Sequence, residues 1–524
     1  METLRKNRTL FIILAVLVVV FLLAIRGMST RDWVLTTLRG LSVGAVTFLV
    51  ASGLSIIFGL MDVLNLAHGT LFMVGAYVGW SVYVRPDTFV DLLTPLALLV
   101  AGFTLNPLWR RLLDQLRLLP TVRRFWPWVG LILAGVVLAL TLPRAPIAKW
   151  NAEVYTESPI VYTQQFESGQ ISSTVQPAKY SGMSPVVGLG GLVVGSILLA
   201  VSLVGFQQRT TSGPTPKSKS LPWQAIVSCA VLLAIGLGAY LANDALTDWL
   251  FGLNTNWLFL VAVVVATLVG AALGGLMETT LIRPLYTRPI YQLMLTLGLG
   301  FIGTEVVRAL WGRTGFTMPR PALFAGSGDG CPAASLSGWL EHQCSTVSIS
   351  IGGEAARIRI YNEIFLILAG LVVLIVVWIV IQRTRLGMII RAGVQDSEMV
   401  EALGINVRRV FTLVFALGAG LAALGGVLSG PATGLSDAMG GNLLLGALIA
   451  LAIGGLTSFP GAAAGSVLVG MLQQFIIKYG QTGINLPFLD EPFKPSPPLV
   501  PASTVLLMVI ILLAMPQGLL GRKE

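Results

Sequence analysis

Residues Gln382–Arg409 read QRTRLGMIIRAGVQDSEMVEALGINVRR, a polar stretch lodged between two strongly apolar runs. Asp396 is suited to cap a short helix that carries Glu398 at its start, and Gly404 to the left-handed turn that ends one. The predicted helix, Ser397 to Leu403, is under two turns, about 10 Å long at 1.5 Å per residue. Met399, Val400 and Leu403 share one of its faces, with Glu398 and Glu401 off that face. So short a helix is marginal alone in water and needs a surface to lie on. Two readings stay open from these residues: an ordinary cytoplasmic loop between membrane helices, or a docking element that inserts into a soluble partner.

The rest of the chain says what this loop interrupts. Hydrophobic residues make up 55% of the 524 and charged ones 11%, against about 25% charged in a typical soluble domain. About fourteen apolar runs reach or approach the length that crosses roughly 30 Å of hydrocarbon. The expected fold is all-α, a polytopic transmembrane helical bundle of about 12–14 spans. The short run Leu443–Leu456 and the glycine-containing run after His68 are candidates for broken or re-entrant segments.

A net charge of +10 would by itself admit a nucleic-acid binder, but the basic residues are sorted by loop. Clusters at Arg5–Arg8, Arg110–Arg124, Lys217–Lys219, Arg283–Arg288, Arg383–Arg409 and Arg522–Lys523 all fall on one side of the predicted topology. Such sorting orients membrane proteins with the basic loops in the cytoplasm. It places both termini there, in a multi-pass protein of the plasma or inner membrane whose surroundings are lipid, not nucleic acid. Only Arg26–Arg39 runs against it. The first run, Thr9–Ile25, has no evident small-x-small cleavage site and is expected to be a retained helix.

Chemistry-bearing motifs are scarce. No G-x-x-x-x-G-K-[ST] phosphate loop, nucleophile elbow or zinc helix occurs, so no enzyme activity and no cofactor are expected, and uphill work must draw on a partner. Cys229 sits in an apolar run as a packing residue. Cys331 and Cys344 share a loop on the predicted outer side, where a disulfide is allowed.

Between the runs Gly40–Met61 and Leu66–Val84 lie Asp62, Asn65 and His68, with no loop long enough to carry them far from the bilayer. Polar groups there are costly unless paired or wetted. Asn65 is suited to cap the next helix, with His68 in its first turn, beside unpaired N–H groups and the positive dipole end. That suits the carboxylate of a zwitterion in transit. The alternative leaves Asn65 as a cap alone and His68 bonded to a neighbouring carbonyl. Further on, Glu305 and Arg308 have i, i+3 spacing, and glycine and alanine crowd the later helices.

Several of these pieces together resemble the permease subunits of ATP-binding-cassette importers for branched-chain amino acids, a family that also includes urea and short-amide permeases. They are Gly59–Gly75 with its N-L-A-H-G core, E-T-T-L-I-R-P-L-Y-T-R-P, T-R-L-G-M-I-I-R-A-G-V-Q-D with the later E-A-L-G-I-N, G-G-L-T-S-F-P-G-A-A-A-G, and the terminal M-P-Q-G-L-L-G-R. The resemblance implies import of branched-chain or related small amino acids or amides, with the ATPase as a separate subunit. It implies that the loop 382–409 holds a coupling helix, with Arg391, Ala392, Glu398, Glu401, Ala402, Gly404 and Ile405 as its candidates beside Met399 and Leu403. The break between the two apolar runs, rather than the resemblance, makes Asn65, Ala67, His68 and Gly69 the candidates for the translocation path. The partners implied are two ATPase chains, a second permease subunit and an extracytoplasmic substrate-binding protein.

Against that pattern the chain divides into an extra amino-terminal helix and connector (1–39), a first core segment (40–84), a membrane-helix insertion (85–255) and a second core segment (256–524). The competing class is an ion-gradient-driven secondary transporter or a channel. It would want membrane-embedded acids, and the runs hold few beyond Asp62 and Glu305.

Overall fold

The computed structural model describes residues 28–115, 120–146, 182–210, 223–286, 288–313, 315, 317–395, 397–484 and 491–521. The first apolar run, Lys217, Asp396 and the side chain of Glu398 lie outside the described residues. Within them, every apolar run from Gly40 onward is a helix. A chain in hydrocarbon must satisfy its own backbone polar groups, and a helix does so within one segment. Nine helices among the described residues are long and apolar enough to cross a membrane. A bent pair makes a possible tenth, and two shorter apolar helices accompany them.

One compact unit holds the described residues up to Tyr83 and from Asn254 onward. It opens with α1 (Thr30–Met61), capped by Ser29, whose Oγ accepts from the Asp32 N–H at 3.2 Å. At 32 residues α1 is about 48 Å long, well beyond the bilayer core. It ends where Asp62 turns left-handed at φ 52° and returns its N–H to the Phe58 carbonyl. After an irregular segment comes α2 (His68–Val84). Later in the chain follow α9 (Thr255–Met277), α10 (Pro289–Trp311), α12 (Leu366–Arg383), α15 (Val407–Thr433), α16 (Met439–Gly454), α17 (Phe459–Thr482) and α18 (Leu499–Ala514).

The centre of this unit is α2 packed against α1 and α15. Val50, Leu54, Phe72, Ala419 and Leu451 form one buried cluster there. Glycine sets the spacing: a Cβ on Gly426 of α15 would stand 1.9 Å from the Phe72 carbonyl oxygen. Two backbones can approach that closely only where no side chain intervenes.

Between α10 and α12 the chain leaves the helices. A short helix, α11 (Leu336–His342), precedes an antiparallel hairpin of β1 (Thr346–Ile351) and β2 (Glu354–Arg359). Cys331 and Cys344 are bonded in this segment, their Cα atoms 5.5 Å apart. The i, i+3 pair Glu305 and Arg308 is in contact near the end of α10, and Arg308 Nε also reaches Asp437 Oδ2 at 2.8 Å, a partner that helical spacing does not indicate.

The second unit runs from Val84 to Leu253. It contains α3 (Pro86–Thr104), α4 (Asn106–Gln115), α5 (Pro120–Thr141), α6 (Pro185–Thr210), α7 (Trp223–Leu241) and α8 (Asn243–Phe251). The bent pair is α7 and α8, which meet at 73°. Polar contacts between its helices include Ser196 Oγ donating to the Leu99 carbonyl, Thr94 Oγ1 to the Gly236 carbonyl, and Asn243 Nδ2 to Asp91 Oδ1. Its helices expose many large apolar side chains, as lipid-facing helices do.

Candidate functional site

The polar loop holds two helices where the sequence predicts one. Thr384 Oγ1 accepts from the Gly387 N–H at 3.1 Å, at the start of α13 (Arg385–Gln395). Ile390 of α13 packs on Leu60 and Leu386. The missed signal was the spacing of Leu386, Ile390 and Gly393, which is helical. The second helix, α14 (Ser397–Ala402), ends in a reverse turn: the Ile405 N–H bonds the Val400 carbonyl, and Gly404 sits at φ +82°. This six-to-one bond with a left-handed glycine is the Schellman arrangement. Asn406 then caps α15 through the Arg409 N–H at 3.2 Å.

The predicted apolar face of α14 is divided. Val400 is turned inward, 3% exposed, while Met399 and Leu403 are 59% and 73% exposed. Glu401, Ala402 and Gly404 are exposed beside them, and Ile405 is half-buried. Arg391 points back along the chain, its Nη1 on Gln382 Oε1 at 3.0 Å and its Nε toward the Gly387 carbonyl. It braces the loop against the end of α12, and Ala392 beside it is half-buried.

A buried ionic cluster that the sequence reading passed over lies at the base of this loop. α9 continues into a π-turn, Glu278–Ile282, whose Glu278 is fully buried. Arg283 clasps its carboxylate at 2.8 and 3.1 Å, Tyr286 Oη donates to it at 2.5 Å, and Thr412 Oγ1 of α15 donates at 2.6 Å. Burial and the adjacent Glu278 carboxylate raise the Tyr286 hydroxyl's pKa, so it stays a donor. The cluster ties the end of α9 to the first turns of α15. An acid, an arginine and a tyrosine within nine positions at the end of an apolar run were the only signal.

The start of α2 is buried. Asn65 Oδ1 accepts from the Ala67 N–H at 3.0 Å, and Thr296 Oγ1 from the Leu66 N–H at 3.2 Å. His68 faces the backbone of Val50, and neither ring nitrogen has a hydrogen bond of normal geometry. A Cβ on Gly53 would stand 2.7 Å from its Nε2, and one on Gly69 would stand 2.3 Å from the Gly440 carbonyl. The imidazole and the two glycines are therefore packed between helices.

A cavity of about 760 Å³ lies in the same unit, and its wall includes Phe72, one turn along α2 from His68. Asn65, Ala67, His68 and Gly69 are not on that wall. α1, α15, α16, α17 and a second π-turn, Ile360–Phe365, form much of it. The π-turn places Asn362 and Glu363 side by side at the cavity. Arg39 Nε meets Glu363 Oε1 at 2.9 Å, and Glu363 Oε2 accepts from the Arg359 N–H at 2.9 Å. Ser42 Oγ donates to the Asn362 carbonyl. Burial, with a further push from the neighbouring Arg359, holds Arg320 below the ordinary guanidinium value.

Residues 36–215 and 219–515 match the family described as branched-chain amino acid transport system, permease component. The chain belongs to that family. It is a multi-pass permease subunit of the plasma membrane that works with partner subunits of an ATP-binding-cassette importer, and it is not an enzyme.

Among relatives, the permease is 28% identical over 278 residues to the high-affinity branched-chain amino acid transport system permease protein LivH of Escherichia coli K12. That match covers 52% of this chain and 79% of the relative. LivH of Salmonella typhimurium is 27% identical over the same shares. BraD of Pseudomonas aeruginosa is 34% identical over 169 residues, 32% of this chain and 48% of its own. No solved structure matches the permease.

Proposed function

We propose that this permease carries branched-chain amino acids, or related small amino acids and amides, into the cell, driven by separate ATPase chains that dock on α13 and α14. The observation that carries the docking assignment is a helix of six residues between two long spans that turns Met399 and Leu403 outward. An exposed leucine at the tip of a helix this short gains little from the described residues around it. Burying it in a partner is worth about 1.5–3 kcal/mol. The relatives' names support the substrate class. A second permease subunit and an extracytoplasmic binding protein complete the assembly, with the loop and both termini in the cytoplasm and the β1–β2 hairpin outside.

The test is co-purification of ATPase chains with Leu403→Asp, alongside uptake of radiolabelled leucine. The charge has no counter-ion in a docked interface, so the ATPase is expected to be lost while the protein level in the membrane stays normal. Retention of both partner and uptake overturns the docking assignment.

A further inference from the structure

The charges around the cavity are two arginines, Arg39 and Arg359, and one carboxylate, Glu363. Glu363 is spent: one oxygen holds Arg39 Nε and the other the Arg359 N–H. Arg39 engages it through Nε alone, which leaves both terminal guanidinium nitrogens without a hydrogen bond among the described residues, and its side chain is 41% exposed. Asn362 Oδ1, the neighbouring acceptor, is buried and has no donor. A buried acceptor without a donor costs about 1–3 kcal/mol. Around these groups the wall is apolar, with Val43, Val46, Phe72, Leu366 and Leu443. The volume falls in the range of about 300–1,000 Å³ that suits small-molecule sites. π-turns, here the one that carries both Asn362 and Glu363, recur at functional sites because the extra residue redirects side chains.

We infer that this cavity is a binding site within the permease for a small zwitterionic amino acid with an apolar side chain. Its carboxylate lies on the terminal nitrogens of Arg39 with Arg359 alongside, its ammonium donates to Asn362 Oδ1 once the amide turns that buried oxygen toward the cavity, and its side chain rests on the valine and leucine wall. Guanidinium matches carboxylate in a two-pronged geometry that a lysine cannot supply. The net positive wall disfavours substrates whose only charge is an amine. The inference rests on the amino-acid transport reading for the choice of ligand, and it places selection inside the membrane subunit as well.

The test uses the full-length permease in lipid nanodiscs, without any binding protein, and titrates L-leucine calorimetrically. Leucinamide lacks the carboxylate and 4-methylpentanoate lacks the ammonium; each is expected to bind at least tenfold more weakly than leucine. Arg39→Gln is expected to cost at least tenfold. Because that change leaves Glu363 buried without its partner, a second variant leaves the ion pair intact: Gly446→Phe. Gly446 lines the cavity, and a Cβ there meets nothing within 4 Å, so the ring fills the site without a clash at its root. It is expected to abolish binding while the protein stays monodisperse. No leucine binding to the unaltered permease, binding of either analogue as tight as that of leucine, or full binding by Gly446→Phe each overturns the inference. Leucine uptake by the complete transporter is measured in parallel. Its absence counts against the transport reading, whereas uptake that persists without binding in nanodiscs counts against the cavity alone.

Discussion

Glu278 shows how one residue decides the fate of several others. Its carboxylate takes four hydrogen bonds from Arg283, Tyr286 and Thr412, and is itself fully buried. Glu278→Gln keeps the volume, removes the charge opposite Arg283 and puts an amide donor against existing donors. We expect a loss of about 2–3 kcal/mol, read as a lower midpoint of thermal unfolding in detergent. An unchanged midpoint would show that the cluster is relaxed by solvent. The sequence gives little warning of this residue, since its partner Thr412 lies 134 positions away. Asn65 is the opposite case. Its cap partner is two residues on, so local spacing alone was enough to anticipate the bond. For His68, spacing placed the residue in the first turn, but which helices would bury its ring depends on Gly53, on the preceding helix, and on Gly418, 350 positions on.

Elements were legible wherever a local rule sufficed. Apolar runs had to be helices because hydrocarbon offers no other partner for their backbones, and Gly404 had to end α14 because left-handed φ suits glycine. The π-turns, the cavity and the division of α14's apolar face were not legible, since each depends on what packs alongside. Two predictions belong at this scale. Gly404→Val should disturb the turn that aims α14, so ATPase co-purification should fall while membrane insertion stays normal; wild-type recovery of the partner would show that the turn is unimportant to docking. The bond between Cys331 and Cys344 closes a short loop, sequence separation 13, which in the chain-entropy model is worth about 3 kcal/mol. Non-reducing mass spectrometry should find the bridged peptide, and thiols that alkylate without reductant would rule it out.

For the whole molecule, the proposed topology puts the hairpin and the docking loop on opposite sides of the membrane. In a Cys229→Ser background, a membrane-impermeant maleimide applied to intact cells should label Ser350→Cys, an exposed hairpin position, and miss Glu401→Cys, an exposed position in α14. Labelling of Glu401→Cys would invert the orientation. The proton-driven alternative finds little support in the acids of the first unit. Glu278 and Glu363 are both buried and both held by arginines, so neither is free to ferry a proton without breaking a pair. The run from Val84 to Leu253 contributes helices of its own, and composition alone could say that they were apolar but not how they would bundle.

The π-turn at Ile360–Phe365 carries a consequence for heredity. A π-turn is a helix holding one residue more than its regular hydrogen bonds require, and each residue turns an α-helix by about 100°. Deleting any single residue there would restore an ordinary helix and swing everything on its upstream side by that angle relative to α12. Arg39, fixed on α1, would then face a different side chain. Along this segment, selection has to preserve a count as well as an alphabet: a conservative exchange at Ile364 can be tolerated, whereas a one-codon deletion cannot, however unremarkable the residue it removes.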